Sequence, residues 1–525
     1  MSKAMIFLYG PSGSGKSSLG RILAERLNLP FVDLDQEIVR QSGNTIPDIF
    51  ARQGEAGFRQ IEKSVLNGLL RGKRMVVALG GGTLLDVESR ARIERIGSVV
   101  CLSASLEQLL KRLEAEPDSR PLLAGEAHTR LQSLLADRSD HYASFAEQID
   151  TDGRALDEIA WQVQVRLGAF HVRGMNAGYD VLVHPGGLES IGERLAEQGL
   201  SGRAAVVSDT NVSAIYGERV CEGLRSCGFT PALVQIPAGE QHKNLQTVQA
   251  LWESFLGFGM ERGSTVIALG GGVTGDLAGF AAATYLRGVP WVSLPTSLLA
   301  MVDASLGGKT GFDLPQGKNL VGAFYPPHLV LADPDTLSTL PAAERRSGMA
   351  EVLKAGIIAD PALFELCAQG WETVMDRMDE IIRRGMAVKV GLIQADPYEK
   401  GARAALNLGH TVGHALELAS AYKLSHGEAV AVGMLFEARL AEELGLARQG
   451  LAQEILTALQ RLGLPVSLPE DCATLAILDA MRVDKKKVSG DLRFALPVEI
   501  GQVQVGVQVS GSDLDILKRL LEAEL

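Results

Sequence analysis

The feature that most constrains the fold is a complete phosphate-binding loop near the start of the chain. Residues 10–17 read GPSGSGKS, which satisfies the spacing of a Walker A motif. An apolar segment, residues 4–9, precedes this loop, and a segment with helical periodicity, residues 17–27, follows it. This strand–loop–helix context predicts a parallel α/β domain in the first part of the chain.

The residue types in and after the loop fit phosphoryl transfer. Glycine N–H groups converge on phosphate oxygens, and the helix N-terminus adds partial positive charge. We expect Lys16 to reach the β- and γ-phosphates and Ser17 to coordinate Mg²⁺. Asp33 and Asp35 end the next predicted strand, residues 31–34, where alternation would place both carboxylates on one face. They predict Mg²⁺ coordination and contact with an acceptor hydroxyl.

Further predicted elements divide the chain into three regions. The first contains predicted strands at residues 75–79 and 98–102 and a helix at 156–167. The second repeats the α/β pattern, with strands at residues 179–184, 204–208, 232–236, 265–269 and 291–294. From about residue 340 long amphipathic helices take over, with a late hairpin at 492–496 and 503–507. We predict a P-loop domain at 1–172, a Rossmann-like α/β domain at 173–338 and a mainly helical domain at 339–525.

Bulk properties exclude several classes of protein. A length of 525 residues is too great for one hydrophobic core. The net charge of −12 disfavours a nucleic-acid partner, because phosphates would be repelled. The five cysteines form no CxxC pair, so we expect reduced thiols and a cytoplasmic location. No apolar stretch predicts a membrane span or a signal peptide.

A second glycine turn and a histidine group indicate a separate site. Residues 270–276, GGGVTGD, follow a predicted strand but lack the GxGxxG spacing, so dinucleotide binding stays open on this motif alone. His410 and His414 lie one helical turn apart, and His426 is near in sequence, in a loop that we expect beyond that helix. Imidazoles suit zinc, and the HExxH glutamate of a metalloprotease is missing. The pattern predicts a metal site and does not choose between His414 and His426.

Five motifs beyond the loop give the first 170 residues a family resemblance. In order they are residues 33–35 (DLD), 57–62 (GFRQIE), 80–82 (GGG), 120–123 (RPLL) and 138–142 (RSDHY). Together they resemble shikimate kinase. The resemblance implies ATP-dependent phosphorylation of shikimate with Lys16 and Asp35 catalytic, Mg²⁺ at Ser17 and Asp33, and Arg120 in a mobile lid over ATP. It implies an acceptor site of Asp35, Arg59, Gly81, Gly82 and Arg138, and a nucleotide site of Gly13, Ser14, Gly15, Lys16, Ser17, Ser18 and Arg120.

From about residue 175 a second series of motifs runs to the end of the chain. It comprises residues 239–243 (GEQHK), the glycine turn, 295–303 (PTSLLAMVD), 307–310 (GGKT), 317–320 (GKNL), 351–354 (EVLK), Arg403, 407–414 (NLGHTVGH), 426–428 (HGE) and 484–486 (DKK). This text resembles 3-dehydroquinate synthase. The resemblance implies bound NAD, a Zn²⁺ or Co²⁺ ion, and conversion of 3-deoxy-D-arabino-heptulosonate 7-phosphate to 3-dehydroquinate and phosphate. Both reactions belong to the route to chorismate and the aromatic amino acids.

The second resemblance also implies a set of site residues. Its metal ligands are Glu351, His410 and His426, which leaves His414 for proton transfer or the substrate phosphate. The implied substrate and catalytic groups are Arg287, Asp303, Lys309, Asn319, Lys354, Lys389, Arg403, His414 and Lys485. The implied NAD contacts are Asp209, Asn211, Glu240, Lys243, Gly271, Gly272, Val273, Asp276, Thr296, Ser297, Asp303 and Lys318. A homodimer through this half is implied as well.

Alternatives stay open for both halves. The first could be another small-molecule kinase, such as a gluconate kinase, or a regulatory ATP-binding module. The second could be another sugar-phosphate cyclase or a metal-dependent polyol dehydrogenase. The phosphate-binding cations argue against a dehydrogenase, because that reaction does not need them.

Overall fold

The computed structural model describes residues 5–72, 74–114, 127–421, 423–469, 472–485, 492–510 and 512–523, with the backbone alone at 127, 482–485 and 512. The chain divides into two compact units, Met1–His171 and Val172–Leu525. The division at residue 338 predicted from the sequence stays a prediction.

The first unit is a parallel sheet between helices. Its strands are β1 (Met5–Tyr9), β2 (Phe31–Asp33), β3 (Val76–Ala78), β4 (Gly97–Ser103) and β5 (Glu147–Asp150), in the order β2-β3-β1-β4-β5. Its helices are α1 (Lys16–Arg26), α2 (Leu34–Ser42), α3 (Ile46–Leu69), α4 (Val87–Ile96), α5 (Leu106–Glu114), α6 (Ala127–Ala143) and α7 (Leu156–Leu167). Short strand β6 (Ala169–Val172) reaches the unit boundary. The predicted α/β class is confirmed.

The central strand of this unit positions the phosphate loop. All five residues of β1 are buried, with a hydrophobic core on each side of the sheet. Leu19 and Leu23 of α1 pack into one core, and Phe58 of α3 packs into the other. The loop therefore leaves the carboxyl end of the middle strand, where open parallel sheets place their ligand sites.

One local prediction in this unit is wrong. Asp33 and Asp35 do not alternate along one strand, because β2 ends at Asp33 and α2 begins at Leu34. Asp33 is the N-cap of α2, and its Oδ1 accepts hydrogen bonds from the backbone N–H groups of Asp35 and Gln36. This capping is favourable enough to end the strand early.

The second unit begins with another α/β arrangement. Its strands are β7 (Tyr179–Val183), β8 (Arg203–Asp209), β9 (Thr230–Ile236), β10 (Thr265–Gly270), β11 (Trp291–Pro295), β12 (Lys309–Leu314), β13 (Gly317–Phe324) and β14 (Leu329–Ala332). The interleaved helices are α8 (Ile191–Glu197), α9 (Thr210–Val212), α10 (Glu218–Ser226), α11 (Leu245–Gly257) and α12 (Gly272–Thr284). Strands β7-β14-β11-β10-β8-β9 lie side by side and parallel. The sequence did not predict the antiparallel hairpin β12–β13.

The rest of the unit is mainly helical, as predicted. The helices are α13 (Ala342–Ala359), α14 (Pro361–Ala368), α15 (Trp371–Asp376), α16 (Met378–Ala395), α17 (His410–Ala419), α18 (His426–Glu443), α19 (Leu451–Arg461), α20 (Thr474–Lys485) and α21 (Ser512–Glu522). The predicted hairpin is present as β15 (Leu492–Glu499) and β16 (Gln502–Val509). Among the described residues, no helix has the length and apolarity needed to cross a membrane.

Candidate active sites

The first unit contains a cavity of about 110 Å³ beside the phosphate loop. It is lined by charged and glycine residues from separate motifs, including Asp35, Arg59, Gly80, Gly81, Gly82 and Arg138. The acceptor residues expected from the sequence therefore share one cavity. A cavity lined by a few converging polar groups suits a small polar ligand.

The phosphate loop ends in a helix whose first turn has no side-chain cap. Gly15 precedes α1 with a φ of 90°, a conformation that favours glycine. Lys16 Nζ donates to the carbonyl oxygens of Gly10 at 2.9 Å and Pro11 at 2.8 Å. Ser17 Oγ donates to Asp33 Oδ2 at 2.5 Å, so a hydroxyl and a carboxylate lie together at the helix start. Oxygen ligands of this kind suit Mg²⁺.

The acceptor side of the cavity is held by ion pairs and close backbone contacts. Arg59 Nη1 donates to Oε2 of the buried Glu62 at 2.7 Å. Burial acts to lower the pKa of Arg59, but the Glu62 and Glu55 carboxylates outweigh it and raise that pKa. A Cβ on Gly82 would lie 2.6 Å from Arg59 Nη2, so only glycine lets the guanidinium lie against this turn. Arg120 lies outside the described residues.

The second unit brings Glu351, His410 and His426 together. Glu351 Oε1 is buried and has no hydrogen-bond partner among the described groups, while Nε2 of His410 lies 3.6 Å away and Nε2 of His426 lies 3.5 Å away. A buried carboxylate oxygen facing two imidazole nitrogens is a suitable ligand set for a divalent metal. The fit is therefore good for the zinc or cobalt ion that the sequence implied.

A second group overlaps the first. Ligand atoms of His414, Glu417 and His426 also lie within 4.8 Å of one another. Glu417 Oε2 lies 3.5 Å from His426 Nδ1, the nitrogen opposite the one that faces Glu351. A carboxylate in this place fixes the orientation and tautomer of a metal-binding imidazole.

The pKa values of the three proposed metal ligands are shifted in different directions by their surroundings. Burial acts to raise the pKa of Glu351, but Lys354 and the two imidazoles lower it well below its usual value. Burial and then the Lys354 ammonium lower the pKa of His410 to about 3. Burial also acts to lower the pKa of His426, but Glu351 and Glu417 raise it to about 9. The lowered pKa of Glu351 keeps its carboxylate ionised at neutral pH, as metal binding requires.

Close helix packing explains why these ligands converge. A Cβ on Gly433 of α18 would lie 2.0 Å from the Gly409 carbonyl oxygen, and one on Gly427 would lie 1.9 Å from the Ser347 carbonyl oxygen of α13. His410 and His426 are each the first residue of their helix. Our prediction that His426 lies in a loop is therefore wrong, since Ser425 and Glu428 form a capping box that starts α18 there.

A buried carboxylate links the two histidine-bearing helices. Glu437 of α18 is fully buried, and its Oε2 accepts a 2.5 Å hydrogen bond from the Gly409 N–H. Its Oε1 accepts one from the Val412 N–H at 3.3 Å. These N–H groups belong to the start of α17, where a negative charge is favourable. Glu437 thereby fixes the helix start that carries His410.

The predicted lysines of this unit are paired with carboxylates. The ion pairs are Lys354 with Glu351, Lys389 with Asp303, Lys309 with Glu399, Lys318 with Glu417 and Lys243 with Asp276. Arg403 is also buried, at 1% exposure, and donates to the Pro397 carbonyl oxygen at 2.7 Å. Pairing holds these cations in defined places before any ligand binds.

The glycine turn follows β10 as predicted and borders a small cavity. Gly271, Gly272, Asp276 and Lys309 line it. Helix α12 begins at Gly272 without a side-chain cap, an arrangement that suits a dinucleotide pyrophosphate. Lys243 Nζ lies 2.6 Å from Asp276 Oδ2 and donates to Asn319 Oδ1 at 2.6 Å. These contacts connect the turn with hairpin β12–β13.

The other predicted nucleotide residues lie at helix starts and strand ends. Asp209 accepts hydrogen bonds from the N–H groups of Asn211 and Val212. The Thr296 N–H donates to the Gly270 carbonyl oxygen at 3.0 Å, and Ser297 Oγ accepts from the Ala300 N–H. Further members of the set are Glu240 in a short turn and Val273 in α12.

Many of the predicted residues, among them Lys16, Ser17 and the three metal ligands, do not line either of the two cavities. Ser18 is exposed on α1 and lines neither. Arg287 is exposed, has a φ of 69° and lines neither. The Lys485 side chain lies outside the described residues.

Family models match both units of the chain. A family model described as shikimate kinase matches residues 12–167. Models described as 3-dehydroquinate synthase N-terminal and C-terminal match residues 233–347 and 348–487. A 3-dehydroquinate synthase of Nostoc punctiforme is 43% identical over 351 residues, which cover 66% of this chain and 96% of the relative.

The chain belongs to both families. Its first unit is the shikimate kinase unit, and its second is the 3-dehydroquinate synthase unit. A 3-dehydroquinate synthase of Gloeobacter violaceus is 46% identical to the synthase unit over 352 residues, covering 66% of this chain and 96% of the relative.

Two solved structures resemble the synthase unit. A 2-deoxy-scyllo-inosose synthase complexed with carbaglucose-6-phosphate, NAD⁺ and Co²⁺ has a TM-score of 0.62 and 26% identity, covering 68% of this chain and 100% of its own. A 2-epi-5-epi-valiolone synthase from Streptomyces hygroscopicus, with NAD⁺ and Zn²⁺ bound, has a TM-score of 0.61 and 30% identity, covering 67% and 98%. The synthase unit thus has the same fold as these two synthases.

Sequence reasoning missed several residues of these sites. Glu417 and Glu437 carry no motif and appear as ordinary helical glutamates until α17 and α18 are packed together. Glu417 could have been found from its position three residues after His414, on the same helix face. Glu437 and Glu399 had no comparable signal.

Proposed function

We propose that the chain carries out two reactions of chorismate biosynthesis. The kinase unit phosphorylates shikimate with ATP, and the synthase unit converts 3-deoxy-D-arabino-heptulosonate 7-phosphate to 3-dehydroquinate and phosphate. The observation that carries the proposal is that each family's scattered motif residues come together in one place. Arg59 and Arg138 share a cavity beside the phosphate loop, and Glu351, His410 and His426 converge.

In the kinase unit, Arg59 and Arg138 hold the shikimate carboxylate through paired N–H donors. Asp35, in the same cavity, accepts from the hydroxyl that becomes phosphorylated. Lys16 stabilises negative charge on the transferred phosphoryl group. The nucleotide is held by the loop residues Gly13, Ser14, Gly15 and Ser17, with Ser18 and the lid residue Arg120. Ser17 and Asp33 together hold Mg²⁺, which their 2.5 Å contact supports.

In the synthase unit, Glu351, His410 and His426 would hold one Zn²⁺ or Co²⁺ ion. When bound, the ion would polarise the substrate's hydroxyl and carbonyl oxygens, and NAD would supply the acceptor and donor of hydride. His414, whose ring centre lies 5.1 Å from that of His410, contacts the phosphate or relays a proton. The NAD contacts surround the glycine turn and include Gly271, Gly272, Asp276 and Lys243.

The cations of the synthase unit orient the substrate. Lys309 and Asn319 lie on hairpin β12–β13, while Lys354, Lys389 and Arg403 are buried. A phosphate and a carboxylate are the two anionic groups that such a set can bind. The proposed set of substrate-binding residues also includes Asp303, Lys318, Arg287 and Lys485. Asp303 holds Lys389 in place.

A product analysis tests both reactions. Purified chain receives NAD, Zn²⁺ or Co²⁺ and the heptulosonate phosphate, and separately receives Mg²⁺, ATP and shikimate. We expect 3-dehydroquinate with one phosphate in the first case, and shikimate 3-phosphate with ADP in the second. A heptose phosphate serves as the control substrate for the synthase unit, and gluconate serves as the control substrate for the kinase unit. Turnover of either control in preference to the proposed substrate would instead support a different cyclase or a different kinase.

We further propose a cytoplasmic enzyme that forms a homodimer through its synthase unit and has no nucleic-acid or membrane partner. The net charge of −12 supports the first exclusion. Light scattering of the full chain, compared with the isolated residues 1–171, tests where dimerisation lies. A monomeric full chain, or a dimer formed by residues 1–171 alone, would contradict the proposal.

A further inference from the structure

The carbonyl oxygen of Gly81 accepts hydrogen bonds from three side chains in the kinase unit. Tyr142 Oη donates at 2.8 Å, Tyr9 Oη at 3.2 Å and Arg138 Nη1 at 3.2 Å. A carbonyl oxygen has two lone pairs, so two donors satisfy it and the third is in excess. The three donors therefore compete for two places.

The two tyrosines are the fixed members of this group. Tyr9 is fully buried in β1, and its ring packs against those of Tyr142 and Phe145 at centroid distances of 5.5 and 5.2 Å. Burial raises the pKa of Tyr9, so its hydroxyl keeps its proton. Tyr9 Oη also lies 3.1 Å from His141 Nε2, which further fixes the phenol. Neither ring can turn without disturbing this packing.

Arg138 is the member that can leave. Its guanidinium lines the cavity and carries five N–H donors, of which one is used on Gly81 and another contacts the Tyr142 hydroxyl. If both phenols satisfy the carbonyl, the guanidinium can turn fully to an anionic ligand without leaving the half-buried Gly81 carbonyl oxygen unsatisfied. If one phenol hydroxyl is missing, the Arg138 guanidinium has to donate hydrogen bonds to the Gly81 carbonyl oxygen and to the ligand at the same time.

We propose that Tyr9 is a positioning residue for the acceptor substrate, because its hydroxyl satisfies the Gly81 carbonyl and thereby releases Arg138 to bind the shikimate carboxylate. This inference rests on the proposed kinase reaction. The carbonyl also sets the direction of the Gly82 N–H, since the two point in opposite directions across a trans peptide bond. Tyr9 thus acts on the cavity from outside it.

A double-mutant cycle tests this role. Tyr9→Phe keeps the ring and removes only the hydroxyl. We expect the KM and the equilibrium dissociation constant for shikimate to rise roughly 3- to 10-fold, the range for one lost hydrogen bond, with the KM for ATP unchanged. In an Arg138→Ala background, the same substitution should have no further effect on shikimate, because the competing guanidinium is gone.

A matched control comes from the synthase unit. Tyr285 Oη donates to the Met260 carbonyl oxygen at 3.2 Å, so Tyr285→Phe removes an equivalent buried hydroxyl. It should leave both kinase constants unchanged. If Tyr9→Phe does not give a folded kinase unit, Tyr142→Phe replaces it in the cycle, since it removes a donor to the same carbonyl.

The outcomes separate this inference from the proposed function. Wild-type chain that does not phosphorylate shikimate would overturn the function itself. Active wild type with an unchanged KM for shikimate in Tyr9→Phe would overturn only the inference. Equal increases with and without Arg138, or a parallel increase in the KM for ATP, would show a general packing role and would likewise overturn it.

Discussion

Alanine substitutions of His410 and His414 distinguish two overlapping ligand sets. One set is Glu351, His410 and His426, and the other is His414, Glu417 and His426. Because His426 belongs to both, its removal cannot separate them. Removal of His410 or of His414 can separate the two sets, because each of these histidines belongs to one set only.

The expected loss follows from the number of ligands. A four-ligand structural zinc site contributes about 10–16 kcal/mol, or about 2.5–4 kcal/mol for each ligand. Removing His410 should therefore weaken metal binding roughly 10²- to 10³-fold. Removing His414 should leave metal affinity unchanged and slow turnover, because in our account this side chain contacts substrate.

The assay is competition against a chelator of known affinity, followed by metal analysis of the protein. Kinase activity in the same samples is the control, and it should not change in either variant. Metal-free His414→Ala together with metal-replete His410→Ala would refute the assignment, because the second set would then be the metal site.

Three further predictions address other parts of the chain. Arg59→Ala should raise the KM for shikimate roughly ten- to a hundred-fold, because one charge-assisted hydrogen bond is lost, and should leave the KM for ATP nearly unchanged. Steady-state kinetics with each substrate varied in turn measures both constants, and an increase mainly in the KM for ATP would contradict the prediction. Glu437→Gln should weaken metal binding roughly 10- to 100-fold without unfolding, as for other supporting groups around a ligand, and unchanged affinity in chelator competition would rule out its role. Lys243→Ala should lower the free energy of unfolding of the synthase unit by about 3–5 kcal/mol, because the partly buried Asp276 loses its ion-pair partner. In denaturant unfolding, the double variant Lys243→Ala/Asp276→Ala should recover most of the lost stability. No recovery would argue against the Lys243–Asp276 ion pair as the cause.

Local patterns were sufficient for most of the fold. The apolar segments before each glycine turn became β1 and β10, and the late hairpin became β15–β16. The sequence failed where a side chain decided the local structure. Asp33 ends β2 because its carboxylate caps α2, and Ser425 starts α18 at His426. Hairpin β12–β13 was not predicted, because its residues include two glycine-rich stretches that carry little strand signal.

The sites were predictable where a motif carries its own chemistry. The phosphate loop and the histidine pair were recognisable from spacing, and family resemblance supplied the remaining residues. Residues that act through tertiary contacts could not be found in this way. Tyr9 and His141 are 132 positions apart, and Glu437 lies 28 positions from Gly409, so no local pattern links them. Their roles depend on packing that only the folded chain shows.

The central claim is that one chain carries two independent active sites, and reciprocal inactivation tests it most directly. Lys16→Ala and Glu351→Gln are purified as full chains, and both activities are measured in each preparation. We predict that Lys16→Ala loses shikimate phosphorylation and keeps 3-dehydroquinate formation, while Glu351→Gln does the reverse. Loss of both activities in either folded variant would contradict the account, because the two reactions would then depend on a common site.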